Sequence, residues 1–192
     1  MSLNIMYYEL SEFYKRDVYF LYDEENNIQI REFEKGIKID VEKELLYRVD
    51  KIDEYLSEYD ILPTFNAPLV SLKFISLFKD LENHEIQFIN ITIIDDKGNI
   101  NKDFYLLNVL RVLPCMDTEK SIVEEKKYGS ASVMTIKKLY LIPNSLNNFL
   151  IVRMEEKKSY IIVTEEFKKR CEEAGLKGVD FIEEGHSIYT DI

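Results

Sequence analysis

Phe104–Ser121, which reads FYLLNVLRVLPCMDTEKS, decides the fold because it holds the longest near-apolar run in the chain. Its first half, Phe104–Val112, is rich in Leu, Val and aromatic residues and contains neither Gly nor Pro. A short run of this kind forms either a buried strand or a buried helical segment, and periodicity alone does not distinguish the two. The flanking sequence is therefore needed to choose between them.

The residues before this run favour a strand. Ile91–Ile94 consists entirely of β-branched isoleucine and threonine, and Asp95–Asn99 (DDKGN) supplies turn-forming residues. A β-rich run, a Gly-containing loop and a second apolar run are typical of a hairpin. We therefore predict that Ile86–Ile94 pairs with Asp103–Leu113, and that Pro114, which lacks an N–H, ends the pairing.

The remainder of the stretch, Cys115–Ser121, is polar and is predicted to leave the sheet as a loop. Asp117 and Glu119 lie close together in it. They could form a general acid–base pair, a cation site or a partner contact, or they could simply be solvated, as polar loop residues usually are. An enzyme would need the two carboxylates to converge in a cleft with Cys115 or a histidine.

The chain outside this hairpin gives weaker signals. Asp17–Asp23 and Ile28–Phe33 have the composition and alternation of strands. Val41–Tyr59 has apolar residues at steps of three and four, which indicates an amphipathic helix, although Leu45–Val49 alone would suit a short strand. Ile122–Ser132 is charged and is predicted to be a loop.

The aromatic residues crowded between Tyr7 and Tyr22 are expected mainly in the core. Tyr is also favoured at protein interfaces, where it combines a large contact area with a polar tip. The pattern leaves both a core role and an interface role open for the aromatic residues between Tyr7 and Tyr22. Further along the chain, Pro63 and Pro68 bracket an extended connector.

Two segments of the chain share a pattern without any gap. Residues 69–89 (LVSLKFISLFKDLENHEIQFI) align with residues 162–182 (IVTEEFKKRCEEAGLKGVDFI) at an offset of 93. Each reads as a short strand, a hydroxyl residue suited to an N-cap, a helix of about three turns, a turn and a strand. The sequence thus predicts an α+β fold with a mixed, largely antiparallel sheet and two pseudo-repeated helix–strand units. Coincidence of two amphipathic helices is the alternative.

Composition is that of a globular protein. The 192 residues suit one domain over residues 1–192, with lobes at 1–66 and 67–192 as the alternative, and a core of this size needs no metal or disulfide. The N-terminus lacks a basic region followed by an apolar core, and no segment has the ~20 apolar residues of a membrane span. We therefore expect a cytoplasmic protein whose two cysteines are reduced.

The net charge of −11 argues against binding to nucleic acid or to an anionic membrane, since both favour basic surfaces. The charge is uneven, because residues 1–66 hold 16 Asp and Glu against 8 Lys and Arg. This acidity could serve solubility alone. It could also form an acidic face that attracts a basic protein partner.

No catalytic motif stands out. The sequence has no Gly-rich phosphate loop and no nucleophile-elbow signature, and it has no Cys/His cluster for zinc. Its histidines are His84 and His186. Cys171 aligns with Phe78 of the other segment and is expected to be a small core residue. We predict no cofactor, no metal and no enzymatic activity.

Four segments in order carry a resemblance to a known family: APLVSLKF, EIQFINI, YLLNVLRVLPCMDTEKS and SYIIVTEEFKKRCEEAGLKGVDF. They resemble the eleventh family of immunity proteins of bacterial polymorphic toxin systems, once grouped as a domain of unknown function. The matching positions are Pro68–Ser71, Tyr105–Val109, Asp117–Ser121 and Val163–Phe181, within residues 60–182. Thr164 replaces a usual Ser, which preserves a helix cap.

The resemblance implies a cytosolic antidote that binds a cognate toxin domain and blocks it without turnover. A basic nuclease-type toxin would agree with the acidic N-terminal third. The family carries no functional residues over to this chain, so the candidate contacts are chosen by charge and expected exposure. They are Asp23, Glu24, Glu25, Asp117, Glu119, Glu124 and Glu125.

Two other functions stay open from the residues alone. One is a ligand-binding or scaffold domain, which would show an apolar cavity or a large apolar patch. The other is an enzyme that uses Asp117 and Glu119.

Overall fold

The computed structural model describes residues 6–129 and 131–186, and in these residues the chain forms fourteen strands and two α-helices. Three short 3-10 helices cover Ile30–Glu34, Leu56–Glu58 and Lys79–Leu81. The helices are α1 (Leu72–Leu77) and α2 (Glu165–Glu173). The strands are β1 (Tyr7–Glu12), β2 (Leu21–Tyr22), β3 (Leu45–Val49), β4 (Ile61–Leu62), β5 (Leu69–Ser71), β6 (Ile86–Asp95), β7 (Ile100–Asn101), β8 (Phe104–Val109), β9 (Val112–Leu113), β10 (Ile122–Tyr128), β11 (Ala131–Lys138), β12 (Ile151–Met154), β13 (Ile161–Thr164) and β14 (Val179–Glu183).

The strands form three sheets. The largest has the order β2-β3-β6-β8-β5-β4, with β7 paired to β6, and a five-stranded sheet has the order β14-β1-β13-β12-β9. Strands β10 and β11 form a hairpin of their own. Pairing is antiparallel except between β3 and β6 and between β12 and β9. The protein is therefore α+β with mixed sheets, as predicted, although three sheets replace the single one expected. That residues 1–192 form one domain stays a prediction.

The central stretch pairs as predicted and then does more. Strand β8 lies antiparallel to β6, with Ile86 opposite Val109 and Asn90 opposite Tyr105. The chain then leaves this sheet, and Val112–Leu113 joins the five-stranded sheet beside β12. The predicted strand Asp103–Leu113 is therefore two strands, and the stretch connects the two large sheets.

Three other predictions are wrong. Val41–Tyr59 is not a helix, since Leu45–Val49 forms β3 parallel to the longer β6, with alternate side chains buried. Ile28–Phe33 contains the start of a 3-10 helix that buries Phe33, not a strand. Ile122–Ser132 is not a loop but most of the hairpin β10–β11, whose inward side chains pack on the core at one end. In the first two cases, parallel pairing with a distant strand and burial in the core outweigh the local pattern. The hairpin β10–β11 is local, and the charged residues of β10 hid its strand pattern.

The two helix–strand segments occupy equivalent places in the two large sheets. In the first segment (Leu69–Asp95), β5 and β6 both pair antiparallel with β8, and in the second segment (Ile161–Glu183), β13 and β14 both pair antiparallel with β1. The side chains of Ser71 and Thr164 cap α1 and α2 by accepting hydrogen bonds from Phe74 N and Phe167 N. That the two segments are repeats of one unit stays a prediction.

Three buried apolar clusters stabilise this arrangement. One lies between the two segments and includes Phe78, which stacks on Phe167 with ring centroids 4.2 Å apart. A second lies under the large sheet around Phe33 and Tyr47, and a third packs under the base of the β10–β11 hairpin. Within residues 6–129 and 131–186, no helix is long and apolar enough to cross a membrane.

Candidate functional site

An exposed pair of stacked aromatic rings marks the most distinctive surface of the protein. Tyr19 and Phe65 lie with ring centroids 4.6 Å apart and an interplanar angle of 14°. Their side chains are 47% and 65% exposed, which is unusual for large apolar groups. Val133 is also exposed, and it lines the same cavity as Tyr19 and Phe65. Clustered exposed apolar groups commonly mark an interaction site.

Local hydrogen bonds hold this pair outward. Phe20, beside Tyr19 in sequence, is buried, and its N–H donates to the Pro63 carbonyl at 3.0 Å. The Thr64 hydroxyl accepts from Ala67 N at 3.1 Å and donates to Ala67 O at 2.7 Å. This closes a tight turn that projects Phe65 into solvent.

A cavity of about 490 Å³ lies on one side of Phe65, and we call it the aromatic cavity. Rings, aliphatic side chains and carboxylates all contribute to its lining, and it has a mostly apolar wall. The rings, aliphatic side chains and carboxylates in the lining are Tyr22, Asp23, Glu24, Ile28, Ile30, Tyr47 and Phe65. Its volume is within the usual range of ligand pockets.

The loop that bears Asp23 and Glu24 is held to β3 by hydrogen bonds. The Asn26 side chain accepts from Leu46 N at 2.8 Å and donates to Leu46 O at 2.9 Å. Asp23 accepts from Glu25 N at 2.8 Å and forms an ion pair with Arg48. These contacts leave the Asp23 side chain only 4% exposed. The hydrogen bond from Glu25 N, followed by the one from Arg48, holds the pKa of Asp23 below its usual value.

The tyrosines at the inner end of the cavity differ in their hydrogen bonding. The Tyr22 hydroxyl donates to Ile28 O at 2.8 Å, and the ring lies edge-on to Tyr47 at 5.3 Å. The Tyr47 hydroxyl is buried and has no hydrogen-bond partner among the residues the structure describes. A buried hydroxyl without a partner is unfavourable, and it is an exception among buried polar groups.

A second cavity of about 530 Å³, the carboxylate cavity, lies on the other side of Phe65. Thr64 and Phe65 line both cavities, and Tyr19 lines the second, so Phe65 lies at the boundary between them. Glu9 and Glu12 line the second one, together with Lys137 and Lys157. Desolvation raises the pKa of Glu9 and of Glu12 to about 7, although the nearby Lys157 charge opposes the shift at Glu9.

A buried arginine supports the wall between the cavities. Arg153 is fully buried, and its Nη1 donates to Asn66 O at 3.2 Å and to Lys158 O. Its Nε and Nη2 have no partner within the described part of the chain. Burial lowers the pKa of Arg153 to about 10, and the charges of Glu34 and Glu12 oppose this shift. The arginine thus fixes the residue that follows Phe65.

The predicted contact residues fall into two groups. Glu24 and Glu25 are exposed beside the aromatic cavity, whereas Asp23, chosen for its expected exposure, is buried in the loop's own hydrogen bonds. Glu124 and Glu125 are exposed on β10 of the hairpin, opposite Thr135 and Met134 of β11, which line the carboxylate cavity.

The loop of Asp117 and Glu119 has the geometry of a turn. Asp117 accepts from Glu119 N and Lys120 N, both at 3.1 Å, and Glu119 is exposed. Although desolvation acts in the opposite direction, hydrogen bonds from Lys120 and Glu119 lower the pKa of Asp117. Cys115 is buried, and burial raises the pKa of its thiol to about 12. Neither cavity described above is lined by these residues.

The residues that sequence reasoning missed are Tyr19 and Phe65 as a pair, and Glu9 and Glu12. Phe65 stands between two prolines in a predicted connector, which was the one signal of an outward-facing aromatic residue. Glu9 and Glu12 gave no signal, because their desolvation depends on strands more than 150 residues away along the chain.

A family model described as "Immunity protein family (Imm11)" matches residues 16–186. No match was found among curated proteins. Across residues 6–129 and 131–186, no group of three or more His, Cys, Asp or Glu side chains could hold a metal ion.

Proposed function

The chain belongs to the Imm11 immunity protein family, and we propose that it is the cytoplasmic antidote of a bacterial polymorphic toxin system. In this proposal it binds a cognate toxin domain and blocks it by contact alone, without turnover or a cofactor. The observation that carries the proposal is the exposed Tyr19–Phe65 stack, in which Phe65 lies at the boundary between two cavities. Exposed aromatic residues at the centre of a surface are the commonest anchors of protein interfaces.

Charge supports a basic partner. The first 66 residues carry eight more acidic than basic side chains, and they contribute Tyr19, Phe65 and the whole aromatic cavity. Opposite charge accelerates association and excludes partners of the wrong sign. A basic toxin domain, such as a nuclease, fits this surface better than an acidic protein does.

We assign the predicted contact residues different roles. Glu24 is proposed to contact the toxin from the lining of the aromatic cavity, and Glu25 from the exposed surface outside that lining. Asp23 orients their loop through Arg48. Glu124 and Glu125 on the hairpin are proposed as a second contact. The turn of Asp117 and Glu119 contributes only charge, since Asp117 is engaged in its own loop.

A small-molecule binding domain is the second candidate function. The observation that favours it is the volume and apolar lining of the aromatic cavity. The two functions differ in the partner that each requires. An antidote needs a toxin partner, whereas a ligand-binding domain would act on a small molecule without one.

The decisive experiment uses the toxin domain encoded beside this chain's gene. Expression of that domain alone should arrest growth, and co-expression of this chain should restore it and give a complex on gel filtration. The double variant Tyr19→Ala with Phe65→Ala should weaken the complex by at least about 30-fold, as loss of an interface hot spot does. Ile100→Ala, which removes an equally exposed apolar side chain from β7, should change affinity less than about twofold.

The outcomes separate function from location. If the neighbouring domain stays toxic in the presence of the folded chain, this pair is not a toxin with its antidote. If protection persists with the double variant, the antidote function stands and the interface lies elsewhere. Circular dichroism and thermal unfolding of each variant serve as the control that the fold is retained.

A further inference from the structure

We infer that the aromatic cavity binds an arginine side chain presented by the partner protein. The inference rests on the proposed function for the identity of that partner, but its chemistry is argued from the cavity alone. The rings, the charge and the buried hydroxyl of the cavity each exclude a different class of ligand.

The walls match a long side chain with a flat cationic end. Tyr22, Tyr47 and Phe65 supply aromatic faces and edges, and Ile28 and Ile30 supply aliphatic surface. Guanidinium groups stack on aromatic rings and are weakly hydrated, so they enter such sites more readily than ammonium groups do. The aliphatic stem of arginine can pack on the isoleucines while its charged end lies over a ring.

The charge of the lining selects a cation. Of the eleven residues that line the cavity, two are carboxylates and none is basic. Asp23 is already neutralised by Arg48, whereas Glu24 is exposed and forms no ion pair with any described residue. The carboxylate cavity differs, because it contains Lys137 and Lys157 as well as its acids. Glu24 is therefore the carboxylate available to pair with a guanidinium, in the two-point geometry that arginine favours.

The buried hydroxyl of Tyr47 supports a hydrogen-bonding ligand over a purely apolar one. Tyr47 lines the cavity, and its oxygen has no partner among the residues that the structure describes. A phenolic oxygen can accept a hydrogen bond, and a guanidinium presents five N–H donors in a fixed plane. An aliphatic or neutral aromatic ligand would leave this oxygen without a partner.

A toxin-independent titration tests this chemistry on the whole chain. Increasing N-acetyl-arginine-methylamide should shift the methyl NMR signals of Ile28 and Ile30 in a saturable way. The neutral isostere N-acetyl-citrulline-methylamide should shift them at least about tenfold less effectively, because it lacks the charge. The lysine analogue should bind more weakly than the arginine compound.

Two neighbouring carboxylates provide a matched pair of variants. Glu24→Gln should weaken binding of the arginine probe at least about fivefold, as expected for loss of a charge-assisted hydrogen bond. Glu25→Gln removes the same charge one residue away, outside the cavity lining, and should change it less than about twofold. Equal shifts from citrulline, a tighter lysine probe, or equal effects of the two variants would each overturn the inference.

The complex with the toxin domain keeps this inference separate from the proposed function. Glu24→Gln and Tyr47→Phe should each weaken the complex and leave the folded chain intact. If both variants bind the toxin as the unsubstituted chain does, the arginine site is wrong and the antidote function stands. If the unsubstituted chain binds no toxin, the function fails, and the probe titration alone decides whether the cavity takes arginine.

Discussion

The first and second helix–strand segments each pair both of their strands with a central strand, β8 or β1. The two central strands carry different side chains at corresponding positions. In the first, Leu106 of β8 lies opposite Leu69 and Ile89, and in the second, Glu9 of β1 lies opposite Ile162 and Ile182. Val109 opposite Ile86 likewise corresponds to Glu12 opposite Val179. At these positions β8, the central strand of the first arrangement, is apolar. Strand β1, the central strand of the second, bears two carboxylates there.

This difference follows from the surroundings of each central strand. Strand β8 lies inside the large sheet, between β6 and β5. Its buried side chains belong to two of the three apolar clusters, the one between the two segments and the one under the large sheet. Strand β1 has the edge strand β14 on one side, and the carboxylate cavity opens beside it. A backbone arrangement that is stable with an apolar centre can therefore accept ionisable groups where a cavity admits water.

The largest difference between the segments should appear at their turns. Gly178 of the second segment has φ +95°, and a Cβ there would lie 2.1 Å from the Ile61 carbonyl oxygen. We expect Gly178→Ala to cost about 4 kcal/mol or to prevent folding, since backbone strain and a clash act together. Gly175→Ala is the control, because its φ is +60° but no atom lies within 4 Å of the new Cβ. It should cost about 1 kcal/mol in urea unfolding.

Equal losses for the two glycine variants would contradict the close docking of this turn on β4. That docking is also made by backbone hydrogen bonds, since Asp60 N and Ile61 N both donate to Lys177 O. The first segment needs no such glycine, because its turn uses Asn83 at φ 66°.

Sequence reasoning succeeded for several elements whose determining contacts are local, although it missed the local hairpin β10–β11. The caps Ser71 and Thr164, the two helices and the β6–β8 hairpin each depend on residues close in sequence. It failed for Leu45–Val49, whose helical spacing of apolar residues was outweighed by parallel pairing with β6. Parallel pairing involves residues far apart in the chain and leaves no local turn signal.

The candidate site was harder to predict for the same reason. The stack of Tyr19 on Phe65 joins residues 46 positions apart, and the burial of Asp23 depends on Arg48. Charge and residue type suggested an acidic contact face, and they correctly placed Glu24 and Glu25 on the surface. Charge and residue type could not show that Tyr19 and Phe65 point outward beside this face.

The second-largest effect concerns pH and the carboxylates of β1. The pKa of Glu9 is about 7 in the folded chain and near 4.5 when unfolded, so the unfolded chain releases this proton first. Stability is therefore fully present below about pH 4.5 and falls as pH rises towards 7. We expect Glu9→Gln to stabilise the protein at pH 8 by about 2 kcal/mol and to leave it little changed at pH 4.5.

Thermal unfolding across this pH range checks the prediction, with Leu106→Met in β8, the central strand of the first segment's sheet, as the control. That substitution changes an apolar side chain at the corresponding position and should shift stability equally at both pH values. A Glu9→Gln variant with the same pH profile as the unsubstituted chain would show that Glu9 ionises normally and that the two central strands do not differ in this respect.

A smaller difference is expected between the two helix caps. Thr164 accepts a hydrogen bond from Phe167 N at 3.3 Å, and Thr164→Ala should cost about 1 kcal/mol. Ser71 makes the same bond to Phe74 N and also donates to the buried Asp60 carboxylate at 2.8 Å. Ser71→Ala should therefore cost about 2 kcal/mol, because it also removes a donor from a buried charge. Equal losses in urea unfolding would remove this distinction between the segments.

The smallest expected effect tests whether the two segments stabilise each other. Phe78 and Phe167 stack across them at 4.2 Å with an interplanar angle of 11°. A double-mutant cycle with Phe78→Leu and Phe167→Leu should give a coupling energy of about 1 kcal/mol, as for other aromatic pairs. Phe33 lies in a different buried cluster, so the cycle of Phe33→Leu with Phe167→Leu should be additive within about 0.5 kcal/mol. If the first cycle is also additive, the rings share only a common apolar environment. Each segment would then owe its stability to its own sheet, and a change in the carboxylates of β1 could be accommodated without altering the first segment.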